Sequence, residues 1–230
     1  MSYDISIPDK YVIMYTFYIQ AEQINDILKK YTNKDYTITD ATACIGGNSV
    51  LFCRDFKHSN LVEMDYDTAL ILKDNTRKLK NKTIYYSDYN IIKYLLKQDI
   101  VFFDPPWGGK DYKKSAHIDL YLGSDNIIDI IDSLYNNCRV ICLKSPINFN
   151  FKESRFWYSR VFPIYKFSRI IFNIIIYKKD AFGGTFKKSE KSDVVEMEKR
   201  NFVKASVGRS IEEEDKKYKK PWRTVQSEED

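Results

Sequence analysis

Apolar and polar residues recur along this chain in two periods, and the two take turns. Ile24, Ile27, Leu28 and Tyr31 fall at helical spacing within residues 21–31, which predicts a helix. The run YTITDAT is short and β-branched and predicts a strand ending at Asp40. A glycine turn leads into GGNSVLFCRDF, a short helix, and NLVEMD reads as a second strand ending at Asp65. DTALILKDNTRKL places Ala69, Leu72 and Thr76 on one helical stripe. KTIYYSD predicts a third strand ending at Asp88, NIIKYLLK a helix, and DIVFFD a fourth strand ending at Asp104. NIIDIIDSLYNN and RVICLK add one more helix and strand. Such alternation implies right-handed βαβ units and a parallel sheet. The fourth strand is apolar up to its aspartate, as a strand covered on both faces should be. SRVFPIYKF and RIIFNIIIY have no helix-length connection between them and predict an antiparallel hairpin on the sheet edge.

The pattern weakens after Lys179. Residues 181–230 hold few large aliphatics and carry the charge runs EEEDKK and KKYKK. A solvated tail is expected there, with a helix near DVVEMEKRNFVKA. The expected division is therefore a folded domain over 1–180, whose first 35 residues form an extension and helix, and a charged tail over 181–230.

Composition narrows the chemistry. No apolar run reaches the length of a membrane span, and MSYDISIPDKYVIMYTFY has no basic region followed by an apolar stretch. An intracellular protein, cytoplasmic or nuclear and not secreted, is expected. The cysteines, Cys44, Cys53, Cys138 and Cys142, show no CxxC spacing, and the histidines are His58 and His117 alone. That argues against a disulfide framework and a metal site. The net charge of +5 permits an anionic partner without requiring one.

The first four expected strands end in aspartates: Asp40, Asp65, Asp88 and Asp104. Any one of them is an ordinary turn former or helix cap. In an open parallel sheet, however, ligands sit outside the carboxyl ends of the strands. DATACIGGN, Asp40 to Asn48, is a glycine turn into a helix, where Gly46 and Gly47 let the backbone approach a ligand. Asp65 is placed for a ribose diol and Asp88 for an adenine amino group, with Asp40 toward a cationic end. Those needs fit S-adenosylmethionine.

VFFDPPWGGKDY then supplies what transfer to an exocyclic amine requires. The amine lone pair is delocalised into the base, so acceptors against its N–H bonds favour the reactive geometry. Asp104 offers a carboxylate, and the backbone carbonyls of Asp104 and Pro105, held by Pro105 and Pro106, are rigid acceptors. The Trp107 ring can stack on the base, with a cation–π contribution if the base is charged.

DATACIGGN followed by DPPWGGKDY resembles the trimethylguanosine synthase family, the RNA cap guanine-N2 methyltransferases. That family shows Asp-x-x-x-Gly-x-Gly-Gly-Asn and then Ser/Asp-Pro-Pro-Trp-Gly-Gly-x-x-Tyr, and the resemblance spans roughly residues 10–180. It implies a class I, Rossmann-like sheet of seven strands, a monomer, and capped RNA as partner. It places S-adenosylmethionine against Gln20, Asp40, Ala41, Thr42, Gly46, Asn48, Asp65, Asp88 and Tyr89. Catalysis would fall to Asp104, Pro105, Pro106 and Trp107, the Trp107 ring stacking on 7-methylguanine. Lys110, Tyr112, Lys144 and Asn148 would contact the capped substrate. Three departures stand out: Cys44 replaces the family's first glycine, Asp104 stands where the family often has serine, and LKSPINF replaces a Pro-Arg-Asn segment. A residue other than glycine is strained at φ > 0, so Cys44 bears on cofactor affinity. Two other readings stay open on sequence alone: an N6-adenine methyltransferase of RNA or DNA, since Asp-Pro-Pro-Trp also marks those enzymes, and a catalytically silent cap- or RNA-binding subunit.

Overall fold

A computed structural model describes residues 5–179 except positions 13, 153, 157 and 167, with only the backbone described at Lys110 and Tyr158. The tail and its expected helix lie outside the described residues. Helix α1 is Tyr18–Tyr31 and strand β1 is Thr37–Asp40. The alternation continues with α2 (Ser49–Asp55), β2 (His58–Glu63), α3 (Tyr66–Asn75), β3 (Lys82–Tyr86), α4 (Tyr89–Ile92) and β4 (Ile100–Phe103). A small antiparallel pair, β5 (Tyr121–Leu122) and β6 (Asp125–Asn126), precedes α5 (Ile127–Ser133) and β7 (Val140–Ser145). The hairpin β8 (Tyr158–Lys166) and β9 (Arg169–Lys178) closes the described fold.

The main sheet has seven strands in the order β3-β2-β1-β4-β7-β9-β8. The first five of these run parallel, and β9 pairs antiparallel with β7 and with β8. This is the expected α/β, Rossmann-like architecture with its C-terminal hairpin. Alternating side chains build a core on each face. Ile100, Phe102, Val140 and Cys142 meet Ile24, Leu28 and Phe52 on one side, and Val101, Phe103, Ile141 and Leu143 meet Ile127, Ile130 and Ile131 on the other. β4 and β7 are buried at every position because both faces are covered.

Several boundaries differ from the expected ones. β2, β3 and β4 stop at Glu63, Tyr86 and Phe103, one or two residues before Asp65, Asp88 and Asp104. Asp65 and Asp88 leave the ladder because each caps a helix: Asp65 accepts from the Thr68 N–H at 2.9 Å and Asp88 from the Asn90 N–H at 2.8 Å. Helix α4 ends at Ile92 rather than running through NIIKYLLK. The chain beyond it turns tightly, and Gln98 Nε2 donates to the Lys93 carbonyl at 2.9 Å.

The strand order reverses between β1 and β4, so a crevice opens outside their carboxyl ends. The glycine turn after β1 and the proline loop after β4 leave from that point.

Candidate active site

The turn after β1 is anchored to its neighbours by the backbone. Ala41 N–H donates to the Phe102 carbonyl at 2.9 Å, Ala43 N–H to the Val62 carbonyl at 3.0 Å, and Cys44 N–H to Glu63 Oε2 at 3.0 Å. Cys44 adopts φ 48° and Gly46 φ 99°. A cysteine thus stands in the left-handed region at the position where the resemblance expects the first glycine of the turn. Gly47 is needed for a different reason. A Cβ there would lie 2.9 Å from Tyr15 Cε2 and 3.0 Å from the Thr16 carbonyl oxygen, so the segment before α1 closes directly onto the turn.

Asp40 is almost wholly buried, and its carboxylate is engaged: Ser49 Oγ donates at 2.6 Å and Thr42 N–H at 3.3 Å. Burial pushes its pKa up to about 7, and repulsion from Asp104 and Glu63 adds to the shift. Glu63 is raised as well, chiefly by burial. It accepts from the N–H groups of both Cys44 and Asp65, which ties the turn to the end of β2. Asp65 is exposed and Asp88 half-buried, while Tyr89 is in the core, its hydroxyl 3.3 Å from Gln98 Oε1.

Across the crevice, Asp104 N–H donates to Thr42 Oγ1 at 2.7 Å, which fastens the proline loop to the turn. Lys144, buried near the end of β7, donates to Asp104 Oδ2 at 2.7 Å and to Thr16 Oγ1 at 2.8 Å. Asn48 Nδ2 donates to the same hydroxyl at 3.2 Å. Burial raises the Asp104 pKa and the Lys144 ammonium opposes the shift. Lys144 therefore neutralises Asp104 instead of reaching toward solvent, and the charge of Asp104 is balanced from within.

The Trp107 ring is half-buried and packs against both core clusters. Tyr112 meets it edge-on at 5.4 Å, Phe172 lies at 6.4 Å, and the Lys144 ammonium is 5.4 Å from its centroid. Its Nε1 is buried without a partner. Pro105 is buried and Pro106 exposed. Gly108 and Gly109, at φ 87° and 73°, turn the chain into a 3-10 helix, Gly109–Lys114. Asn148 braces that helix by donating to the carbonyls of Tyr112 and Ser115, each at 2.8 Å. The Lys110 side chain is outside those described.

Two buried acceptors lack partners here: Asn48 Oδ1 and Gln20 Oε1. Gln20 sits in the first turn of α1, next to Ala21, which packs on Val50 and Leu51 of α2. Unpaired buried carbonyl oxygens suit a ligand that brings N–H donors, such as an ammonium group. Among the described residues no group of His, Cys, Asp and Glu could hold a metal ion, and no helix is long and apolar enough to cross a membrane.

Sequence reasoning brought Asp40, Thr42, Asn48, Asp104 and Trp107 to one crevice, where the structure also places them. It passed over Glu63, Thr16 and Ser49. Glu63 had a signal, since it is the carboxylate at the carboxyl end of the buried run of β2. Thr16 had none, because its role depends on a loop closing over Gly47.

Comparison with known proteins agrees with this architecture. The model of the RNA cap guanine-N2 methyltransferase family matches residues 36–208. An uncharacterized protein of Acanthamoeba polyphaga mimivirus is 31% identical over 153 residues, which cover 64% of this chain and 59% of that protein. The chain thus spans well under two thirds of that relative. Among solved structures, a T. thermophilus 16S rRNA N2 methyltransferase in complex with AdoMet and guanosine superimposes with a TM-score of 0.55 at 16% identity, covering 70% of this chain and 43% of that one. A precorrin-6y methyltransferase of Geobacter metallireducens gives 0.53 at 15% identity, covering 77% and 95%. At such identities the likeness is one of fold.

Proposed function

The chain belongs to the RNA cap guanine-N2 methyltransferase family, and from that membership we propose that it methylates the exocyclic N2 of 7-methylguanine at RNA 5′ caps, using S-adenosylmethionine. One observation carries the reading. Three carboxylates, Asp40, Glu63 and Asp104, converge on the crevice with a single buried ammonium, Lys144, beside a half-exposed indole. The excess negative charge favours cationic ligands, and both the sulfonium donor and the 7-methylguanine ring are cationic. The indole face suits such a ring.

S-adenosylmethionine supplies an electrophilic methyl group. Asn48, Gln20 and the turn from Ala41 to Gly46 would hold its amino-acid end and Asp88 its adenine, while Glu63, at the end of β2, would take the ribose in place of Asp65, which is exposed and caps α3. Trp107 orients the base, and the carbonyls of Asp104 and Pro105 accept from its amine. Lys144 holds Asp104 through Oδ2, so Oδ1 is the oxygen that would face the amine. As the nitrogen lone pair takes the methyl carbon, the carbon–sulfur bond would break with its electron pair left on sulfur, giving the neutral thioether S-adenosylhomocysteine, and the proton lost by the nitrogen would pass to that oxygen.

The test is mass spectrometry of a 7-methylguanosine cap analogue after incubation with protein and S-adenosylmethionine. Addition of one or two methyl groups to the base is expected. No product on the cap, with methylation of adenosine instead, would refute the proposal.

A further inference from the structure

The β8–β9 hairpin reaches past the sheet at the edge where the crevice opens. The last residue of β7, Ser145, pairs with Asn173, whereas β9 begins at Arg169. Four residues of β9 therefore extend beyond the carboxyl end of β7, about 13 Å at a strand's rise per residue. Lys166 pairs with Arg169 at the tip, and Ser168 in the turn adopts φ 62°. Lys166, Ser168, Arg169 and Ile170 are all exposed.

The charge of this hairpin is one-sided. From Tyr158 to Lys179 it carries Arg160, Lys166, Arg169, Lys178 and Lys179 and no carboxylate, although the whole chain holds 32 acidic residues. The overhang is also linked to the pocket. Phe172 touches the Trp107 ring at 6.4 Å, and the Lys166 ammonium lies 5.8 Å from the ring centroid of Phe17, which is 50% exposed just before α1. The buried Phe172 thus joins the indole to a hairpin tip that carries two exposed cations beside an exposed aromatic ring. Cations beside a stacking ring are what a single-stranded nucleic acid uses. A symmetric contact with a second copy would set these cations against themselves.

We propose that the hairpin tip and Phe17 form the track along which the RNA chain leaves the base pocket, with Lys166 and Arg169 binding backbone phosphates and Phe17 stacking on a base. This rests on the reading of an RNA substrate, but not on which base is methylated. A cap dinucleotide is too short to follow the track, and a capped oligonucleotide reaches it.

The experiment measures fluorescence anisotropy of 3′-labelled, single-stranded RNA, capped and uncapped, against salt, for the full chain and the double variant K166E/R169E. Methylation of the cap dinucleotide is followed in parallel. The charge reversal is expected to weaken binding of both RNAs and to lower the slope of log K against log salt by about 1.4, at about 0.7 per phosphate contact. Phe17→Ala is expected to weaken binding with the slope unchanged. Equal affinities and slopes for the double variant and wild type would overturn the track, as would wild type binding the oligonucleotide no more tightly than the dinucleotide. Loss of binding with retained dinucleotide methylation supports it and excludes a folding defect. Absence of cap methylation, with uncapped RNA still showing the slope change, would remove the cap reading and leave the track standing.

Discussion

The ammonium of Lys144 and the carboxylate of Asp104 meet at 2.7 Å between neighbouring strand ends, with side-chain exposures of 8% and 17%. The two residues form one unit. Here each charge makes the other tolerable, because breaking a buried pair leaves one charge uncompensated. Lys144→Met is expected to cost about 3 kcal/mol in urea unfolding, and Asp104→Ser a comparable amount. The double variant should recover most of that loss, since its two sites are in contact and do not act additively. Additive losses in the double-mutant cycle would show that the two charges are independent.

Gly47 makes a second, steric link in the same network. A methyl group there meets Tyr15 and the Thr16 carbonyl at 3.0 Å or less, so Gly47→Ala must push the segment before α1 outward. Thr16 would then withdraw from Lys144 and Asn48. A loss of roughly 1–3 kcal/mol is expected from overpacking. Because the displaced hydroxyl also positions Lys144, cofactor affinity measured by calorimetry should fall further than for a surface variant of equal stability.

Cys44 holds a left-handed conformation that a side chain disfavours. Cys44→Gly is expected to stabilise the chain by about 1 kcal/mol, which raises Tm by about 2–4 °C at this length. Burial pushes the Cys44 thiol up to about 11, so in the wild type it should resist alkylation at neutral pH. An unchanged Tm would mean that the turn relaxes around the cysteine.

These cases show what could be read before the structure was known and what could not. The βαβ order was legible because each element repeats its period over several residues, and the hairpin because no helix fits between its strands. DPPWGGKDY was legible because prolines, an indole and paired glycines in a row have few other uses. The ends of the strands were not, since Asp65 and Asp88 have the composition of strand ends but the geometry of helix caps. The partner of Asp104 was hidden for another reason. Lys144 is 40 residues away in sequence, and a lysine in the run RVICLK looks like a solvent-facing strand end until the sheet places it beside β4. Contacts between distant segments leave little trace in local pattern, and the Thr16 bridge is entirely of that kind.

Asp40 gives the site a pH dependence of definite sign. Its carboxyl, ordinarily near 3.8, titrates at about 7 in the fold because it is buried next to Glu63 and Asp104. The folded chain therefore holds this proton more tightly than the unfolded chain does. Its contribution to stability is present below about pH 4 and is lost as the pH rises through 7. Ligand binding takes the opposite sense. A cation in the crevice favours the carboxylate, so S-adenosylmethionine must displace the proton at low pH and need not do so above 7. Its affinity is expected to rise with pH up to about 7 and then level off, with proton release on binding below that point. S-adenosylhomocysteine, without the sulfonium charge, should show a shallower rise. Calorimetry in buffers of different ionisation enthalpy measures both the affinity and the protons released. Asp40→Asn should flatten the profile, and a wild-type affinity independent of pH from 5.5 to 8 would place the ligand's charge away from this carboxylate.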